Sequence, residues 1–130
     1  MRRISTDNAA KPFSRYSQAV EVSYGERLIF ISGQVGVSVS GELASTDEGQ
    51  HEAVWRNILG ILESEGLGPE SLVEVTAYIT DAGNMPAYRA VRDRMLGGAT
   101  PASTLIVVAG LANPAWKVEI SAVAAGPKQN

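Results

Sequence analysis

Apolar residues alternate between a period of two and a period near 3.6 along the chain, and each change of period marks an element boundary. Val20, Val22 and Tyr24 alternate with Glu21 and Ser23. Beyond Gly25-Glu26, the run Arg27-Leu28-Ile29-Phe30-Ile31-Ser32 is rich in β-forming side chains. Together these segments predict a hairpin. Ser45-Thr46-Asp47-Glu48 has the spacing of a capping box, Ser45 with Glu48, ahead of Val54, Ile58 and Leu62 at helical intervals. Gly66 and Pro69 close that helix. Alternation then returns, with Val73, Val75, Ala77 and Ile79 on one strand face and Glu74, Thr76, Tyr78 and Thr80 on the other. Asn84 as a cap, Pro86 in the first turn and the stripe Tyr88, Val91 and Met95 predict a second helix, stopped by Gly97-Gly98. Further strands are expected at Thr104–Val108 and Lys117–Ala124. The order strand-strand-helix-strand-helix-strand-strand predicts an α+β architecture, a mixed sheet with two helices packed on one face. The other face of such a sheet must be polar or buried against another subunit.

Composition narrows the possible functions. The chain has 130 residues, 45% hydrophobic and 19% charged, enough for one domain spanning residues 1–130 with its own core. A formal net charge of -3 gives no general attraction to phosphate backbones or anionic membranes, so nucleic acid is not an expected partner. Without cysteine there are no disulfides, thiolate nucleophiles or thiolate metal sites. The segment Met1 to Asn8 turns polar at once, unlike a signal peptide, which makes a cytoplasmic location the expectation. The apolar run Leu105–Ala112 falls well short of the roughly 20 residues of a membrane helix.

The run Pro101-Ala102-Ser103-Thr104-Leu105-Ile106-Val107-Val108-Ala109-Gly110, taken with Tyr16-Ser17-Gln18-Ala19-Val20 and Ser32-Gly33-Gln34, resembles the Rid (YjgF/YER057c/UK114) family over nearly the whole chain. The resemblance implies a YjgF/chorismate mutase-like fold and a homotrimer whose sheets line a barrel, with clefts between neighbouring subunits. The best-studied members hydrolyse reactive imines and enamines. No metal or organic cofactor is implied, and the expected ligand is a small molecule.

One residue breaks the pattern. At the third position of the run those deaminases carry an arginine for the substrate carboxylate, and here that position is Ser103. A hydroxyl cannot form the bidentate, charge-assisted grip of a guanidinium, so an altered substrate is expected. Ser103 is a candidate ligand contact, or else simply the residue that opens a strand.

The remaining candidates also carry two readings each. Glu119 lies within Val118-Glu119-Ile120 and matches the family glutamate that handles the proton of water, while its plainer role is an outward strand residue bonded across an interface. Arg89 stands where relatives often place an asparagine that lines the cleft. It is expected to pair with Asp93 four residues on, the alternative being an anion contact from another wall. Arg92 and Arg94 are read as part of the same solvated face. Tyr16 would form an aromatic wall, and Ser32 would donate to a polar ligand atom, with Gly33 allowing close approach. Arg15 stands where many relatives have proline, which implies a different loop at the cleft.

Other chemistries find little support. His51 is the only histidine and follows Asp47 and Glu48, acids better explained as complements to a helix dipole than as metal ligands. No Gly-x-Ser-x-Gly elbow or phosphate loop is present. Trp55 and Trp116 are assigned to packing or to an interface. Three functions stay open: an imine or enamine hydrolase altered at Ser103, a non-catalytic trimer that binds a small metabolite, and an RNA-directed or chaperone-like interaction role, of which the acidic balance argues against RNA.

Overall fold

A computed structural model describes residues 1–128. Its main sheet is built from β3 (Arg27–Val35), β4 (Leu72–Ile79), β5 (Ala102–Val107) and β6 (Val118–Gly126), in the order β3-β6-β4-β5. β4 and β5 run parallel, and the other neighbours are antiparallel. A parallel pair needs a crossover, which α2 (Met85–Leu96) supplies. Together with α1 (Asp47–Ser64) it covers one face of the sheet, as the sequence pattern predicted.

The core lies between those helices and the covered face. Val54, Ile58 and Leu62 of α1 meet Tyr88 and Val91 of α2 over Ile31, Val75, Ala77, Ile79, Ile120 and Ala122. Trp55 is fully buried there, in keeping with its packing role. The alternation read in β4 holds from Val75 onward. A register irregularity between Leu72 and Glu74 reverses its start, burying Leu72 in place of Val73. The uncovered face carries Leu28, 48% exposed, and Phe30, 75% exposed.

Two local expectations are corrected. The hairpin at Gly25-Glu26 does not form: β2 (Ala19–Glu21) pairs antiparallel with β1 (Arg2–Ile4), while β3 pairs with β6. The chain start takes the edge of β2, anchored by an ion pair from the Met1 ammonium to Glu26 and another between Arg2 and Glu21. The helix cap is also displaced by one residue. Thr46, not Ser45, has the extended cap conformation, and its hydroxyl accepts from the Gly49 amide at 3.0 Å.

α2 ends as expected, with Gly97 adopting φ +61°, a conformation that favours glycine. Asn84 occupies the cap position without capping through its side chain, and donates instead to Asp47 Oδ2 at 2.9 Å. This bond ties the start of α2 to the start of α1. No described helix is long and apolar enough to cross a membrane.

Candidate functional site

Three segments converge at the β5 edge. Ser17 is bridged to Ala102, its amide donating to the Pro101 carbonyl at 3.1 Å and its hydroxyl to the Thr100 carbonyl, which lays the preceding loop beside β5. Tyr16 thereby reaches Ser103. In the parallel ladder Ser103 is level with Val75 and Leu105 with Ala77, so both face the helix side of the sheet. From above, α2 presents Met85, Tyr88, Arg89 and Arg92 at helical spacing. These side chains line a pocket of about 210 Å³ that opens to solvent, with Phe13 and Ser14 on its rim.

The charges lining this cavity are both positive, Arg89 and Arg92. Arg92 is only 3% exposed. Its Nε donates to Asp93 Oδ1 at 3.0 Å, and its Nη2 lies 2.9 Å from the same oxygen but is not aligned to donate to it. The other Asp93 oxygen lies 3.9 Å from Arg15 Nε. Tyr88 lies beneath, its ring centroid 5.6 Å from the Arg92 guanidinium carbon and its hydroxyl without an aligned partner. Burial pushes the Tyr88 phenol above its ordinary pKa, opposed by the Arg92 charge and by Ser103. Tyr88 is therefore a neutral donor at physiological pH. The Tyr16 hydroxyl accepts from the Phe13 amide at 3.1 Å, leaving its own proton free for a further partner.

Glu119 lies elsewhere. On β6 it is level with Tyr78 of β4 and Val35 of β3, which places it on the uncovered face, opposite to Ser103. It lines a second cavity of about 450 Å³ with Gly33, Tyr78, Gly110, Leu111 and Ser121 among others. The register of β3 slips between Ile31 and Gln34, bringing Gly33 against the Glu119 carboxylate, where an added Cβ would collide with its Cδ and Oε2. Ser32 is exposed on the same irregularity, and its carbonyl accepts from Gln34 Nε2 at 3.0 Å. Ser32 lines neither cavity.

Of the candidates, a single chain therefore gathers Tyr16, Arg89 and Ser103 and keeps Glu119 and Ser32 apart from them. A larger concavity, about 610 Å³ between β3 and α1, is lined by Val35, Val37, Val39, Ile61 and a single titratable residue, Arg56. It adds no acid-base chemistry.

Two sequence expectations fail in α2. Asp93 pairs with Arg92 and Arg15, not with Arg89, which turns into the cavity. Arg92 is likewise not part of a solvated face, whereas Arg94 is exposed and pairs with Glu48 and Glu52. Tyr88 and Arg92 are the site residues that sequence reasoning missed. The available signal was their spacing, four apart on the stripe that also carries Met85 and Arg89. His51 is buried against Tyr88, and no cluster of three or more His, Cys, Asp or Glu forms among the described residues.

Comparison with known proteins bears on the fold and the family. The endoribonuclease L-PSP family model matches residues 6–126. A RutC family protein of Aquifex aeolicus is 44% identical over 82 residues, covering 62% of this chain and 63% of that protein. The 2-iminobutanoate/2-iminopropanoate deaminase of Mus musculus is 34% identical over 124 residues, covering 93% and 88%. Among solved structures, the Rid family protein YyfB from Yersinia pestis matches with a TM-score of 0.83 at 29% identity, covering 95% of this chain and 96% of that one. E. coli TdcF with bound serine matches with a TM-score of 0.71 at 27% identity, covering 95% and 98%. From the length of the family match and the shared mixed sheet under two helices, the chain belongs to the endoribonuclease L-PSP family, the Rid (YjgF/YER057c/UK114) proteins.

Proposed function

We propose that this protein hydrolyses small imines or enamines to a carbonyl compound and ammonia, at clefts shared between three copies of the chain. The observation that carries this reading is the division of the chemistry between two cavities: arginines and phenols on the helix side near β5, a carboxylate on the uncovered face. One chain cannot bring its own Ser103 to its own Glu119 through the sheet. A ring of copies joined head to tail would set one chain's arginine-lined cavity against the next chain's Glu119, and would also cover Leu28 and Phe30. The deaminase name of the mouse relative and the serine held by TdcF favour a small amino-acid-derived ligand.

In this reading Glu119 acts first as a base. Its carboxylate takes a proton from water while the water oxygen bonds to the imine carbon and the C=N π pair moves to nitrogen. The carboxylic acid returns that proton to nitrogen, giving a neutral carbinolamine. Glu119 then carries the hydroxyl proton to nitrogen, the C–N bond breaks as C=O forms, and ammonia leaves. Gly33 holds the carboxylate close to the strand. Ser32, on the same irregular segment, would donate to the ligand only once a neighbouring copy completes the cleft, and Tyr16 would form an aromatic wall. Ser103, in place of the arginine of the better-studied deaminases, shifts substrate choice.

Adding the purified protein to an amino-acid oxidase reaction should speed disappearance of the imine. Glu119→Gln should lose about a hundredfold or more of that effect, the usual scale of a positioned acid-base group. Equal rates for parent and variant would remove Glu119 from the chemistry. The second reading, a non-catalytic metabolite-binding trimer, draws on the same cavities and on Ser103. Ligand-raised melting with no ammonia release from any imine would favour it.

A further inference from the structure

We infer that Arg92, reaching in from α2, is the residue that grips the carboxylate of the ligand, and that Ser103 is small because Arg92 occupies the space beside it. This rests on the shared cleft proposed above but concerns binding alone. Arg92 Nη2, 2.9 Å from Asp93 Oδ1, and the Tyr88 hydroxyl, close to Arg92 and Ser103, make no aligned hydrogen bond, and both belong to side chains lining the same 210 Å³ cavity. Buried donors left unpaired are costly, and a carboxylate presents two oxygens able to accept from both. Asp93 Oδ1 lies within 3.0 Å of both Nε and Nη2, which fixes the direction of the guanidinium and leaves its Nη1 end for a ligand.

Charge points to the same ligand class. No acidic side chain lines the cavity, and Asp93 is shared with Arg15 outside it, so Arg89 and Arg92 leave the space positive. Arg92 is the better anchor because it is buried, where an ion pair with a ligand is screened least by water. A long cation at position 103 would face Arg92 across this small space. A serine there avoids the repulsion and adds a hydroxyl beside Tyr88.

Calorimetric titration with 2-oxobutanoate and with its neutral methyl ester tests the assignment on the full chain. The parent should bind the acid more tightly than the ester. Arg92→Gln should weaken the acid at least about tenfold and leave the ester nearly unchanged, while Arg89→Gln should have the smaller effect on the acid. Arg92→Lys, which keeps the charge and loses the fork, covers the case in which Arg92→Gln does not fold, and should still lose several-fold in preference for the acid. The double variant R92Q/S103R should recover affinity by restoring a guanidinium to the same space. No preference for the acid in the parent, or unchanged acid affinity in a folded Arg92 variant, would overturn the assignment. Arg92-dependent binding without any acceleration of imine loss would leave it standing and remove the catalytic reading instead.

Discussion

His51 stacks edge-on to Tyr88, with ring centroids 5.9 Å apart and neither ring nitrogen paired. Burial lowers its pKa below the ordinary value, against a smaller pull upward from Asp47. Above about pH 6.5 the ring is neutral in folded and unfolded chains alike. As pH falls below that value the unfolded chain takes up a proton first, so stability declines until the folded-state pKa is passed. Urea unfolding should therefore show the parent losing more stability between about pH 7 and pH 5.5 than His51→Phe does, and equal losses would contradict this. The candidate site was only partly legible at this scale. Glu119, Tyr16 and Ser103 stood out because each sits in a short run of recognisable residues. Arg92 did not, because a charged residue flanked by Asp93 and Arg94 is ordinarily solvated, and only the position of β5 and the residue 13–16 loop encloses it.

Elements depend on features that alternation does not encode. Alternating residues specify which face of a strand is buried but not which strand lies beside it, which is why the segments flanking Gly25-Glu26 read as one hairpin although they belong to two sheets. The helices were more legible, since periods and terminal glycines pointed the same way even where the cap side chains did not act as expected. Gly97, at φ +61°, makes one such signal measurable: Gly97→Ala should cost about 1 kcal/mol or more in chemical unfolding, and no cost would show that the turn relaxes freely. The irregularity in β3 was invisible in sequence, because its effect is to fit Gly33 beneath a carboxylate from β6. Gly33→Ala should displace Glu119 and lower imine hydrolysis at least about tenfold while far-UV circular dichroism stays native. Full activity in that variant would mean that the contact does not position the carboxylate.

At the scale of the whole molecule, the sheet separates a cationic cavity on its helix side from an acidic one on its bare face. Both are surface features of the isolated chain, and assembly is what would turn them into one site. Sedimentation equilibrium should give three times the 13.7 kDa chain mass, and a monomer mass would leave Phe30 exposed and each half-site incomplete. The central claim is sharper than mass alone, since it holds that Arg92 and Glu119 of different copies act together. Mixing unfolded Glu119→Gln and Arg92→Gln chains in equal amounts and refolding them tests it directly. Shared clefts require activity to return, to about a quarter of the parental rate, because random assembly reunites both native residues in about one interface in four. A mixture no more active than the two variants refolded separately would contradict the account.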